Sequence, residues 1–402
     1  MLSHEAIIAA AQEVDGYVRS TRGYLHQNPE ISGREFATSA FLKQEVGALG
    51  LPIEDVEHTG FIAILSCERP GKTLALRCDI DALAMDESEM NLAGKKRYVS
   101  QRAGACHACG HDSHMAMLLG AMKVLVKYRH TLAGTLLFCF EEGEETGCGI
   151  EKMLHALSRK APDAVWGMHI VSFMRSGTIC VDPGPRMAGA ALINMDVIGR
   201  GGHGSRPDLS INPLFGAANV VMALASAWVN RIDVNETVTL GLATIHGGTA
   251  ANVIPDRVSI SGTIRYFNVS EGERAFNLIK TVAAHAAASQ ACQIEFAAEM
   301  KLLVGPTIND ARLSAFAQRQ LTDIFPDGTL VHQPRWYASE SFNRYASLCP
   351  ALFVFLGAGD EAAGSQAEHH SSHFDLDERA FLNGVIATVK FADAFLNGWG
   401  SD

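Results

Sequence analysis

ACHACGHDSHMAMLLG, Ala105 to Gly120, carries two cysteines, three histidines and an aspartate within ten positions and then turns into an apolar run. The run MAMLLGAMKVLV has helical periodicity, and a helix there would hold the loop before it rigidly. Cys109 and His111 stand two apart. In an extended or tightly turned segment both side chains project to one side, where a thiolate sulfur and a neutral imidazole can hold one metal ion. Three blander arrangements use the same residues: a surface histidine cluster, a redox pair at Cys106 and Cys109, or an ordinary helix entrance capped by Asp112 or Ser113. What chooses among them lies elsewhere in the chain.

At roughly 100–200 residues per domain, 402 residues predict two domains, or one large domain carrying an insertion. Hydrophobic residues at 48% and charged residues at 19% describe a soluble, enzyme-like chain without a disordered tract. The net charge of −11 argues against a nucleic-acid partner, since phosphate contacts need a basic surface. The segment MLSHEAIIAAAQEVDG lacks the basic start and long apolar core of a signal peptide, and no apolar run reaches the ~18 residues of a spanning helix. The expectation is therefore a cytoplasmic protein without a membrane partner. Nine cysteines, an odd number scattered from Cys67 to Cys349, read as reduced core thiols plus one ligand, with no structural disulfide.

Outward from the central stretch, Leu2 to His26 and Arg34 to Leu49 read as amphipathic helices separated by Asn28-Pro29. Phe61 to Cys67 and Thr73 to Cys78 read as strands joined by a turn at Arg69-Pro70-Gly71, the second ending in RCDIDAL with Arg77, Asp79 and Asp81 on one face. A helix from Met115 to Tyr128 is followed by the strand TLAGTLLFCF and, at its end, EEGEETGCG. Carboxylates in a glycine-rich strand exit suit a cation, although a solvated acidic loop has the same composition. DAVWGMHI is a short strand ending in His169, and Ala351 to Gly357 is a buried strand followed by AEHHSSHFDLDE. Several predicted strands thus end in groups that can bind a metal, at the edge where α/β sheets place their sites.

Ala188 to Met300 has a different character. Strand (190–199), helix (212–229), strand (237–245), strand (257–267), helix (271–288) and strand (293–298) give a β-α-β-β-α-β order that predicts a ferredoxin-like inserted domain. Its only histidines are His203, His246 and His285, so its expected contribution is substrate contact.

Taken together, LHQNPEISGREF, RCDIDAL, HACGHDSH, EEGEETGCG, WGMHI, GRGGHGSRP, HGGTAANVIPD, GTIRYF and HHSSHFDLDE run in order over nearly the whole chain. In this set the chain resembles the di-metal amidohydrolases of the aminoacylase, hippurate hydrolase and auxin-conjugate hydrolase group, within the aminoacylase and carboxypeptidase-G-like exopeptidases. The resemblance implies an α/β fold of two domains: a zinc-exopeptidase-like α/β/α catalytic domain in two segments, 1–187 and 301–402, and a ferredoxin-like α+β lid and dimerisation domain, 188–300. It implies that Cys109, His111, Glu145, His169 and His370 bind two divalent ions, zinc or manganese, with cobalt or nickel compatible. It implies that Glu144 is the catalytic base and acid for a water activated by the ion pair. The implied reaction cleaves N-acyl amino acids, with a dipeptidase or carboxypeptidase of the same family as the alternative.

Glu141-Glu142-Gly143 stands where the family usually reads Gln-Pro-Ala, which creates a second Glu-Glu pair. Counting without gaps from Phe138 and Phe140 assigns the functional pair to Glu144 and Glu145 and leaves Glu141 and Glu142 as an acidic loop. Ala84, Ser341 and Ser372 are further departures, and Ser341 bears on substrate preference. Asp79 is expected to accept a hydrogen bond from a ligand histidine and fix its tautomer. His107, His114, His369 and His373 flank the ligands as helpers or bystanders.

From the inserted domain the resemblance points to His203, often supplied by the partner subunit of a homodimer, and to Asn252 and Arg265. Arg265 suits a substrate α-carboxylate and His203 an oxyanion. A zinc nucleobase deaminase would need Pro-Cys-x-x-Cys, and Cys106 follows Ala105 instead. A non-catalytic relative would lack the base or a ligand, and none is missing.

Overall fold

Alternating and continuous apolar runs become strands in the computed structural model, which describes residues 1–400. The chain divides into two units, Met1–Gly184 with Ile308–Pro334 and Arg344–Asp402, and Pro185–Thr307 with Arg335–Asn343.

The first unit is built on a seven-stranded sheet in the order Ile53–Val56, Gly60–Ser66, Ala133–Glu141, Arg69–Asp79, Ala164–Arg175, Ala351–Gly359, Ile179–Cys180. The four strands from Ala133–Glu141 to Ala351–Gly359 are parallel, and the flanking ones antiparallel. Ala351–Gly359 is buried at every position, as a parallel strand covered on both faces must be. The helices His4–Gln27, His111–Lys127 and Phe381–Gly398 supply much of the core against this sheet, with Val18, Leu119 and Phe391 all inaccessible. Gly120 allows the close crossing of these helices, because a Cβ there would lie 2.5 Å from Val18 Cγ2.

Register decides where the chemistry lies. Asp79 pairs with Glu141, so two parallel strands stop side by side with their carboxylates at one edge. The strand predicted to end at His169 runs on to Arg175. Its pairing with Arg69–Asp79 ceases at Arg77 and Gly167, while its pairing with Ala351–Gly359 continues beyond Val171. His169 is therefore held by backbone on one side and open toward the strand exits on the other.

In the second unit the sheet order is Val238–His246, Arg257–Tyr266, Gly189–Ile198, Gln293–Phe296, all antiparallel. With the helices Pro213–Arg231 and Val269–Ala288 this is the ferredoxin-like arrangement that the element order predicted. Ala191, Ile193, Met195 and Val197 alternate into a core closed by Val220 and Leu224 from one helix and Ile279 and Ala283 from the other. By length and composition alone Pro213–Arg231, with a mean hydropathy of 1.3, meets the criterion for a membrane-crossing helix, although Asn219 and Ser226 interrupt its apolar residues and no continuous apolar run there is so long. Here Gly216, Ala217, Val220 and Leu224 are buried, whereas Phe215, Met222 and Val229 are exposed.

Candidate metal centre

The helix at the centre of the motif begins at His111, one turn before the predicted Met115, because Gly110 turns the chain with φ of 91°. A side chain at Gly110 would also strike Ile170, with Cβ 2.5 Å from its Cγ2, so glycine is required on two counts. Neither Asp112 nor Ser113 caps the helix. Ser113 Oγ donates to Gly110 O at 2.6 Å, and Asp112 turns to Arg22 and His26.

Cys109, His111 and His169, all buried, bring their ligand atoms within 4.8 Å of one another. Cys109 Sγ lies 3.6 Å from His169 Nε2. The Nδ1 of His169 is 2.7 Å from Ile170 O, which can only accept, so the proton sits on Nδ1 and the Nε2 lone pair is turned to the sulfur. His111 is oriented in the same way, with Nδ1 3.0 Å from Asp81 O and 3.2 Å from Asp81 Oδ1. Its Nε2 is buried without a hydrogen-bond partner, as is Glu145 Oε1, 3.8 Å away. His370 Nε2 stands 3.3 Å from the same carboxylate oxygen.

His370 is held with φ of 63° by a bond from its backbone N to Ala108 O at 2.9 Å, so the two distant segments arrive as one piece. Two orphaned buried atoms facing each other, a thiol, three imidazoles and a carboxylate fit a pair of divalent ions. Without an ion, burial and then Glu145 push the Cys109 thiol well above its ordinary range. Burial opposes charge on His111, yet Asp79, Cys109 and Asp81 hold its pKa well above the usual histidine value. A bound cation would reverse both preferences.

The doubled acidic motif is resolved by burial. Glu141, wholly inaccessible, accepts from Arg77 Nε at 2.9 Å and from the Tyr345 hydroxyl at 2.5 Å. Glu142 accepts from Thr59 N at 2.6 Å, Thr59 Oγ1 at 2.7 Å and Lys152 Nζ at 2.6 Å. The solvated acidic loop expected for this pair is thus wrong: both carboxylates pin strand ends. Gly143, with φ of 59°, then redirects the chain into the turn Glu144–Thr146. Glu144 and Glu145 share a group with His111 within 4.8 Å.

Asp79 accepts from His114 Nδ1 at 2.7 Å and from Arg77 at 2.8 Å, while the nearest nitrogen of His111 is 3.8 Å away. The aspartate directly on His111 is instead Asp81, two residues further along the chain. His114 Nε2 accepts from Ile170 N at 2.9 Å, so this histidine is fully engaged as a brace. His369 Nε2 accepts from Ser172 N at 3.3 Å, and burial beside His370 lowers its pKa to about 3. His373 is exposed with Nδ1 on Met90 O. His107 is buried with neither ring nitrogen hydrogen-bonded, and burial lowers its pKa to about 4.

In the second unit, His203 and Asn252 lie one register apart on a short ladder: His203 pairs with Val253, and Gly204 N donates to Asn252 O at 2.8 Å. Ser205 N donates to His203 Nδ1 at 3.1 Å, which leaves the proton of the neutral ring on the exposed Nε2. Arg265 is half-buried on Arg257–Tyr266, donating to Ile264 O at 3.1 Å and, among the described residues, to no carboxylate. Burial lowers its pKa, the mark of a cation short of an anion. Ser341 Oγ is 3.3 Å from Glu340 Oε1.

Comparisons with known proteins identify the family. Residues 75–394 match the family model described as peptidase family M20/M25/M40. Thermostable carboxypeptidase 2 of Saccharolobus solfataricus is 31% identical over 392 residues, covering 96% of this chain and 97% of that protein. N-acetyl-L-cysteine deacetylase of Bacillus subtilis is 32% identical over 391 residues, covering 94% and 87%. A solved Bacillus subtilis protein described as a dinuclear metal binding peptidase of the M20 family superposes with a TM-score of 0.82 at 27% identity, covering 96% and 99%. The chain belongs to peptidase family M20/M25/M40 and is a metal-dependent hydrolase of that family.

Proposed function

We propose that this protein is a di-metal amidohydrolase that adds water across the amide bond of N-acyl amino acids, releasing a carboxylic acid and a free amino acid. The observation that carries this reading is a five-residue donor set, Cys109, His111, Glu145, His169 and His370, with a further carboxylate, Glu144, at its side. These five residues would hold two divalent ions, zinc or manganese, the thiolate favouring zinc. Such ions, when bound, lower the pKa of water and offset charge that develops on the amide oxygen.

Glu144 takes the proton of the attacking water and returns it to the departing nitrogen. Asp81 and the Ile170 carbonyl keep His111 and His169 in the tautomers that present Nε2. On the family resemblance, His203 donates to the oxyanion and Arg265 with Asn252 receives the α-carboxylate. An amide-capped substrate, which cannot meet the guanidinium with a charge, should lose roughly 10–100-fold in kcat/KM, and Arg265→Ala should erase most of that difference.

Protein purified without chelator should carry two equivalents of divalent metal by elemental analysis and lose hydrolysis on chelation. A panel of N-acetyl, N-benzoyl and N-fatty-acyl amino acids and dipeptides, read by released amine, tests the activity. Preference for dipeptides would favour the carboxypeptidase reading instead, in line with the name of the Saccharolobus relative. Less than one equivalent of metal, or no amine from any substrate, would overturn the proposal.

The same reading includes a homodimer formed through the inserted domain. Phe215, Met222 and Val229 make an exposed apolar line at helical spacing on Pro213–Arg231, and Val238–His246 is an unpaired sheet edge. Met222→Asp should convert the dimer to a monomer in light scattering. Mixing Glu144→Gln with His203→Ala subunits, each inactive alone, should restore activity if His203 serves the partner's centre. Failure of both experiments would remove the dimer from the reading.

A further inference from the structure

We infer that the hollow beside Glu145 and His370 is the subsite for the acyl group, and that it selects apolar acyl chains longer than acetyl. The inference rests on the amidohydrolase reading and concerns which half of the substrate lies where.

The hollow has a volume of about 440 Å³, and its walls are Ile31, Ala82, Leu83 and Ala84, with Glu145 and His370 at the end nearest the donor set. The hollow is open to solvent beside the exposed Ala84 and Thr146, and an acetyl methyl group would fill only a small part of it. Its chemistry discriminates between the two halves of an N-acyl amino acid. The α-carboxylate stays two bonds from the scissile nitrogen, and no lysine or arginine lines this space to receive it.

Ser32, at the wall, has already committed its hydroxyl hydrogen to Asp81 Oδ2 at 2.6 Å. Thr146 likewise donates its hydroxyl hydrogen to Gly143 O at 3.3 Å, and the rest of the lining, Ile31, Ala82, Leu83 and Ala84, is aliphatic, so burying an acyl chain against it is the favourable use of the space.

The walls are preformed. Ala82 N donates to Glu30 O at 2.8 Å, and Leu83 and Cys106 exchange backbone bonds of 3.0 and 3.1 Å. Ile31 and Ala82 are themselves paired as a parallel bridge. A chain entering such a pocket orders no loop, so the gain from burial reaches affinity with little loss.

Each methylene added to the acyl group should therefore raise kcat/KM about fourfold until the hollow is full. Two substrate series test this, one lengthening the acyl group from acetyl to octanoyl on a fixed amino acid, the other enlarging the amino-acid side chain under a fixed acetyl group. The wild type should climb along the first series. Ala84→Trp should flatten that climb by at least about tenfold at hexanoyl relative to acetyl, leaving the second series unchanged in slope.

Should Ala84→Trp fail to fold, calorimetric titration of the metal-loaded wild type with acetate, butanoate, hexanoate and octanoate gives the same information, with affinity rising along the series. A flat acyl series, or an Ala84→Trp effect confined to the amino-acid series, overturns the inference while the amidohydrolase reading stands. No released amine from any substrate of either series would instead sink the amidohydrolase reading.

Discussion

Glu144→Gln is expected to lower kcat by roughly 10²–10⁴-fold while leaving the metal content and the melting temperature unchanged. Glutamine keeps the shape and the oxygen of the side chain and removes only its ability to accept and return a proton. The adjacent residue has the opposite burden. Glu145 Oε1 is buried without a hydrogen bond and faces His111 and His370, so Glu145→Gln should weaken metal retention first and lose activity as a consequence.

Glu141→Gln should behave in a third way, since its carboxylate neutralises the buried Arg77 and accepts from Tyr345. That variant should melt earlier, with its remaining folded fraction still binding metal. Metal analysis, thermal melts and single-turnover rates on the three variants separate the roles. A Glu144→Gln protein that loses metal, or a Glu141→Gln protein that melts normally and is dead, would shift the base assignment to another carboxylate.

How far the sequence could be read follows from the range over which each signal acts. Periodicity is local, and it located the two N-terminal helices, the helix after the motif and the β-α-β-β-α-β order of the inserted unit to within about four residues. It left the helices Ile150–Ser158, Ala311–Thr322 and Phe381–Gly398 unassigned, and the turn expected at Arg69-Pro70-Gly71 is the start of the strand Arg69–Asp79. The residues that the structure gathers within 4.8 Å of one another were legible for a different reason: Cys109 and His111 lie in one short motif, and Glu144 and Glu145 in another.

What stayed hidden depends on partners far apart in the chain. Glu142 looked solvated because nothing nearby in sequence announces Thr59, whose backbone and hydroxyl it accepts from across the sheet. Asp79 was assigned to a ligand histidine, yet register brings it to His114, while Asp81, two residues on, reaches His111. One turn of strand geometry separates the two, and only the register settles it. The helix start at His111 was missed because a left-handed Gly110 can begin a helix without any capping side chain.

The largest stability effect is expected from a residue that takes no part in the chemistry. Asp112→Ala should destabilise the fold by about 3–5 kcal/mol, because it strands a buried guanidinium. Arg22 donates through Nε to Asp112 Oδ2 at 2.9 Å, with side chains 2% and 0% exposed. Its other anions, Asp375 and Glu378, are more distant at 3.7 and 3.6 Å. The same oxygen of Asp112 lies 2.8 Å from His26 Nδ1, and His26 Nε2 lies 2.9 Å from Glu87, which also holds Lys96 at 2.8 Å.

Burial would raise the pKa of Asp112, but Arg22 and His26 hold it far below the carboxylate range, so the network is ionised and internally compensated. Removing one member leaves an unbalanced charge with no route to water, whereas removing Arg22 and Asp112 together as apolar residues should restore part of the loss. Because Asp112 follows His111 directly, the single variant should also loosen the ligand loop and weaken metal binding by roughly 10–100-fold. Urea unfolding of Asp112→Ala, Arg22→Leu and the Arg22→Leu/Asp112→Leu pair, each with metal titration, measures both effects. Losses below about 1 kcal/mol in both single variants would mean that the helices around the site, and not this charge network, carry the load.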